Sequence, residues 1–332
     1  MKIGIVGAGS WGTTLANHLA KNGHSVSIWA REPEVVESIN ADHINKIFLP
    51  DSPLSQDLLA DSDIGNVVAD AELVVSAAPS HVVRKLSEDI RRGLSGSAPT
   101  VVSVSKGLDP ETLDTMTGVL AVTLPDCPIA ALSGPSFAKE VYEERPTAVV
   151  AAADSDDVAR SVQQVFNSAY FRVYTSEDTI GVELGGALKN VSAIAAGIVD
   201  GLDLGYNPRA ALITRSLAEM TRLGIALGAD PLTFAGLAGL GDLLLTCTGA
   251  LSRNRTLGME LAKGKKWEEV VAERNSVAEG VNTARVVLDL AKRNGVELPV
   301  AAEVSAILFD GKQPMEAIKD LMSREPRAER WT

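Results

Sequence analysis

Residues 183–190 read Glu-Leu-Gly-Gly-Ala-Leu-Lys-Asn, inside a segment whose apolar spacing predicts a helix. Two adjacent glycines within a helix each cost about 1 kcal/mol relative to alanine. Residues three and four apart share a helix face. Ile180, Leu184, Val191, Ile194 and Ile198 therefore form an apolar stripe, while Lys189 lies on a different face above Gly185 and Gly186. Helical side chains lean towards the N-terminus, so Lys189 lies over the two glycines. The glycines would let a ligand or the edge of another domain approach the backbone. Two readings fit: a general acid/base lysine whose pKa falls on partial burial, or close helix packing with the lysine reaching solvent.

A second group opens the chain. Gly-Ala-Gly-Ser-Trp-Gly at 7–12 follows a β-branched run and precedes an amphipathic one. In that setting Gly7 makes a tight turn, Gly9 lets a pyrophosphate approach the backbone, and Gly12 lets the helix pack on the strand. The chemistry implied is dinucleotide binding at a helix N-terminus, with Ser10 and Trp11 inside the turn. About 20 residues on, an acid would bind the ribose of NAD and an arginine would take the 2′-phosphate of NADP. The chain offers Arg31 followed directly by Glu32. By placement Arg31 points to NADP; the other reading is a solvated surface pair.

A third group spans 235–258. Gly236, Gly239 and Gly241 precede Asp242, and Thr246 lies one helical turn further on. Ser252, Arg253, Asn254 and Arg255 then follow a glycine. A hydroxyl, an arginine and an amide in sequence suit a phosphate pocket; the plainer reading is a helix cap with surface arginines.

These groups need elements to hold them. Strands are expected at 2–6, 25–30, 73–78, 100–105, 128–133, 147–153 and 171–174, with helical segments between most of them. Such apolar runs suit strands buried on both faces of a mainly parallel sheet. Ligands bind outside the carboxyl ends of such strands. Those ends carry Pro79 and Ser80, then Lys106, then Gly134 and Ser136 in Ser-Gly-Pro-Ser-Phe-Ala-Lys-Glu. Beyond 176 helical periodicity takes over, and Thr175 stands three residues before Asp178 in the manner of a capping box. The fold expected is α/β: an N-terminal Rossmann-like, doubly wound, mainly parallel sheet over 1–176, then an all-α domain over 177–332.

Composition narrows the partners. Of 332 residues 45% are apolar and 22% charged, and net charge is −12. A broad basic surface for nucleic acid is not expected. No run of about 18 apolar residues suggests a membrane span. Two cysteines suit a reducing cytoplasm, with Cys247 read as buried and inert. Four scattered histidines show no metal-ligand spacing, so no metal is expected. A helical second domain with apolar faces could support a homodimer.

With these residues read, the chain resembles the bacterial NAD(P)-dependent glycerol-3-phosphate dehydrogenases nearly end to end. The motifs run in order from 7–12 through Ser-Lys-Gly-Leu (105–108), 133–140, 181–190, 239–248 and 252–255 to Asn-Ser-Val-Ala-Glu-Gly-Val-Asn-Thr (275–283). The resemblance implies interconversion of dihydroxyacetone phosphate and sn-glycerol 3-phosphate with NADP or NAD, supplying phospholipid synthesis. It assigns Ser10, Trp11, Arg31, Lys106, Ala138, Arg253, Val277 and Glu279 to the cofactor. It assigns Lys106, Gly134, Ser136, Asn190, Asp242, Thr246, Ser252, Arg253 and Asn254 to the substrate, and makes Lys189 the proton donor and acceptor, assisted by Lys106 and Asp242. Members often carry a second basic residue beside Arg31; here it is Glu32. Reductases of the 3-hydroxyacid or ketopantoate type remain an alternative, and a dinucleotide-binding sensor is a third.

Overall fold

Each of the seven expected runs forms a strand in the computed structural model, which describes all residues except Ser97, 273–277, Arg327 and 330–332. The strands are β1 (Lys2–Val6), β2 (Ser25–Trp29), β3 (Ile44–Asn45), β4 (Leu49–Pro53), β5 (Leu59–Asp61), β6 (Leu73–Ser76), β7 (Thr100–Ser103), β8 (Ile129–Ser133), β9 (Thr147–Ala152) and β10 (Phe171–Ser176). Three were not expected. β3 and β4 form a separate antiparallel pair, and β5 is an edge strand of only three residues. β3 and β5 are too short to show a period of two, and the two prolines of β4 read as a turn.

The main sheet has eight strands in the order β10-β9-β8-β7-β6-β1-β2-β5. All neighbours are parallel except β8 and β9. Between β8 and β9 the chain carries only the short helix Ala138–Tyr142, and β9 turns back beside β8. Between β9 and β10 the helix Asp156–Phe166 makes a full crossover, and parallel pairing returns. The carboxyl ends of β1, β2, β6, β7 and β8 consequently share one edge. Side chains alternate between two cores: Ile3, Ile5, Leu15 and Ile28 on one face, Val6, Val74, Val101 and Leu120 on the other. Burial on both faces is why these strands read as continuous apolar runs.

From Thr179 onward the described chain is helical. The expected capping box is corrected: Thr175 and Ser176 end β10, and Asp178 is itself the cap, its Oδ1 accepting from Gly181 N at 2.8 Å. The helix that follows, Thr179–Gly201, is buried on every face from Gly181 to Val199. An apolar stripe is thus the wrong description, and Ile180, assigned to it, is 37% exposed. By length and composition this helix could cross a membrane, with a mean hydropathy of 1.3 over an 18-residue window. All of that window is buried inside the protein, wrapped by helices that include Tyr206–Ala226, Asp242–Thr248, Arg253–Ala262 and Glu279–Arg293. A helix apolar all round belongs in the middle of a core as much as in a bilayer.

Candidate active site

The glycine turn joins β1 to α1 (Ser10–Lys21). Gly7 has φ +122°, and a Cβ there would meet the Ala77 backbone at 2.8 Å. A Cβ on Gly12 would lie 1.9 Å from Gly7 O, so only glycine lets the helix start this close to the strand. A Cβ on Gly9 would meet nothing within 4 Å. The one glycine with open space is the one assigned to phosphate approach, and the buried indole N–H of Trp11 beside it has no partner. These residues fit a dinucleotide, with its pyrophosphate at the helix N-terminus. The turn is braced from outside: Asn45 donates to Ala8 O and Thr13 Oγ1, both at 2.8 Å, and Ser10 Oγ donates to Phe48 O at 2.6 Å. Gly7 N donates to Trp29 O at 3.2 Å, which sets the end of β2 beside the turn.

Across the same edge lies a charged cluster. Asp242, 1% exposed, bridges two lysines: Lys189 Nζ donates to its Oδ1 at 2.5 Å, and Lys106 Nζ donates to its Oδ2 at 2.6 Å. Lys189 also donates to Thr246 Oγ1 at 2.9 Å, and Lys106 to Gly134 O at 3.0 Å. Lys106 comes from the loop after β7 and Lys189 from the long helix. Asp242 starts the helix Asp242–Thr248, just after a π-helical turn at Leu237–Gly241. The turn is where the long helix needs its glycines. A Cβ on Gly185 would lie 2.4 Å from Ala238 O, and one on Gly186 would lie 2.9 Å from Ser133 Oγ and 3.4 Å from Lys106 Cγ. The glycines thus admit the turn that delivers Asp242 and the edge that delivers Lys106. Burial lowers the Lys189 pKa to about 8; Asp242 opposes that shift, and the positive charge of Lys106 reinforces it. Two ammonium groups and one carboxylate leave one net positive charge, in a chain of net −12.

Comparison with known proteins then decides the family. Residues 2–159 match the NAD-dependent glycerol-3-phosphate dehydrogenase N-terminus, and residues 178–319 match the C-terminus of the same family. Glycerol-3-phosphate dehydrogenase (NAD(P)+) of Geobacter metallireducens is 51% identical over 332 residues, covering 99% of each chain. The chain belongs to the NAD-dependent glycerol-3-phosphate dehydrogenase family. The crystal structure of glycerol-3-phosphate dehydrogenase from Coxiella burnetii covers 97% of this chain and 98% of its own, with a TM-score of 0.93 and 37% identity. A ketopantoate reductase from Ralstonia eutropha reaches a TM-score of 0.60 at 17% identity, a likeness of fold alone.

Within this dehydrogenase fold the sequence-predicted residues fall into connected sets. Lys106, Gly134, Lys189, Asp242 and Thr246 form the cluster above, and Ser136 Oγ donates to Gly134 O at 3.0 Å. Asn190 donates to Lys106 O at 3.3 Å and accepts from Asn254 Nδ2 at 3.0 Å; Asn254 Oδ1 accepts from Gly280 N at 3.1 Å. Ser252 caps the helix Arg253–Ala262. Arg253 is exposed at its first position, without a partner among the described residues. Arg255, weighed for phosphate, is instead tied to Asp200 at 2.6 Å. Glu279 accepts from Ser80 N at 3.1 Å and Ser80 Oγ at 2.6 Å, linking the two halves of the chain. Ala138 O accepts from Thr14 Oγ1 on α1 at 3.3 Å. Arg31 is held by Glu32. Val277 lies outside the described residues. Sequence reasoning missed the brace at Asn45, the Ser80 partner of Glu279, and Ser133, whose buried hydroxyl has no partner beside Gly186. It also missed the environment of Glu183, a buried acid on the long helix that accepts from Thr117 N at 3.0 Å. Asn45 lies in a segment with no local pattern to mark it; Ser80, Ser133 and Glu183 lie in stretches the sequence singles out, but their surroundings and partners come from distant residues.

Proposed function

We propose that this chain interconverts dihydroxyacetone phosphate and sn-glycerol 3-phosphate by hydride transfer with NADH or NADPH, Lys189 exchanging the proton on the reacting oxygen. The observation that carries the reading is the buried Asp242 bridging Lys106 and Lys189 beside a turn shaped for a dinucleotide. The bound nicotinamide supplies or accepts the hydride. As an ammonium, Lys189 stabilises negative charge growing on the ketone oxygen and donates a proton to it. In the other direction it must begin neutral, and a pKa of about 8 keeps both forms within reach near neutral pH. Asp242 and Thr246 hold the amine in place, and Lys106 adds positive charge suited to an anionic substrate. Arg253, with its guanidinium unengaged, takes the phosphate, and Ser252 and Asn254 fix its helix turn. That remote contact holds the carbonyl in position. Glu279, Trp11 and Ala138 border the cofactor. The product would feed phospholipid synthesis. A cytoplasmic location fits two unpaired cysteines, and the exposed Leu240, Leu244 and Leu251 offer apolar surface for a homodimer.

The test is loss of reduced-nicotinamide absorbance when the protein meets dihydroxyacetone phosphate with NADH or NADPH. Rapid loss is expected, with Lys189→Ala still binding cofactor but losing most turnover. Turnover only with carboxylate-bearing ketones would overturn the substrate, and near-normal turnover of Lys189→Ala would remove Lys189 from the mechanism.

A further inference from the structure

The end of β2 carries a pair that the reaction above does not use. Arg31 donates through Nε at 3.0 Å and Nη2 at 2.6 Å to one oxygen, Glu32 Oε1. The arginine side chain is 82% exposed and the glutamate 26%. Glu32 is the N-cap of α2 (Pro33–Asp42), so its backbone is fixed by the helix that follows. Its second oxygen, Oε2, has no partner among the described residues. The pair begins two residues after Trp29, which is bonded to Gly7, so it stands beside the glycine turn, where the adenosine ribose of a dinucleotide is read. Its surroundings are acidic: residues 29–34 hold one cation and two carboxylates, and Ala30 N donates to the backbone of Asp61 at 3.1 Å.

We infer that this enzyme selects NADH over NADPH, with Glu32 accepting the ribose hydroxyl through its free oxygen and Arg31 serving as the positioning residue that holds Glu32. A ribose hydroxyl can donate to Glu32 Oε2 with the fork intact. A 2′-phosphate that reaches the outer N–H groups of Arg31, which the pair leaves open, lies beside the Glu32 carboxylate of the same sign. The inference deepens the dinucleotide reading of the turn and does not depend on the substrate.

The test is equilibrium binding, without substrate, followed by the fluorescence of Trp11 and Trp29. NADH and NADPH are each titrated into the native protein, Glu32→Gln and the double variant Arg31→Gln/Glu32→Gln at one ionic strength. The native protein should bind NADH about tenfold or more tightly than NADPH. Glu32→Gln should shift that ratio by about tenfold towards NADPH, and the double variant should lose the NADPH gain. A native protein without preference for NADH, an unchanged ratio in Glu32→Gln, or an NADPH gain that survives in the double variant would each overturn the inference. Binding of neither cofactor would overturn it together with the dinucleotide site. Failure to turn over dihydroxyacetone phosphate, with these ratios intact, would touch only the substrate.

Discussion

Replacing Asp242 by asparagine keeps the shape of the charged cluster and removes its only anion. The two lysine nitrogens then face each other without their bridge in a buried site. A unit pair at 2.5 Å is worth about 6–7 kcal/mol at an effective dielectric constant of ~20. Relaxation and water reduce such figures to about 3–5 kcal/mol when one partner of a buried pair is removed. Lys189 escapes most of that cost by releasing its proton. At about 1.4 kcal/mol per unit, its pKa falls by about 2–4 units. The native value is about 8, so in the variant Lys189 is largely neutral at pH 7. The assay is kcat/KM for ketone reduction from pH 5 to 10, which reports groups of the free enzyme. Reduction needs the protonated amine, so the native profile should fall as pH rises through about 8. In Asp242→Asn that limb should move below about 6. The three groups titrate as a coupled unit, and the limb belongs to the cluster as a whole. Ionisation of the substrate phosphate is common to both proteins and cancels in the comparison. Thr246→Val, which removes a neutral contact to Lys189, should move the limb by less than about one unit. A limb that stays near 8 in Asp242→Asn, in a protein that still binds cofactor, would refute the claim that this carboxylate sets the charge on Lys189.

Two further perturbations test the packing behind the site. Gly185→Ala gains helix propensity of about 1 kcal/mol but drives a Cβ to 2.4 Å from Ala238 O, a backbone atom in the turn that delivers Asp242. Denaturant unfolding should show a net loss of about 1–3 kcal/mol, accompanied by lower kcat; a more stable variant would refute the close approach. Glu219 caps the helix Pro299–Phe309 through Val300 N at 2.7 Å, and burial pushes its pKa up to about 7. The folded protein thus holds this proton more tightly than the unfolded chain. Stability from this group is full below about 4.5 and is lost as pH rises through about 7, by about 3 kcal/mol. Glu219→Gln should flatten the stability curve across that window, and an unchanged slope would place the titration elsewhere.

Much of the chemistry could be read along the chain because it depends on neighbours in sequence. Gly7 and Gly12 make the tight turn and the close helix approach that their spacing assigns, and Gly9 stands open, since strand, turn and helix start are local events. The strand and helix alternation was legible for the same reason, and so was the odd placement of Lys189 over two glycines. The strands β3, β4 and β5 were not, because β3 and β5 span only two and three residues and β4, Leu-Pro-Asp-Ser-Pro, carries two prolines that read as a turn. The reversal of β9 was missed because the sign of pairing depends on the length and path of a connection, not on the strand's own residues.

Sequence by itself therefore marked the candidate residues and the elements that carry them: a glycine turn, a lysine helix, and an aspartate ahead of a threonine. Only the tertiary structure decided that Lys106 and Asp242, 136 residues apart, share one ion pair, and that Lys189 completes it. It also decided that the long helix Thr179–Gly201 lies inside a core, and that Arg31 is engaged by Glu32. The physical reason is range. Propensity, capping and turn conformation act over a few residues, whereas burial and charge pairing depend on surfaces brought together by packing.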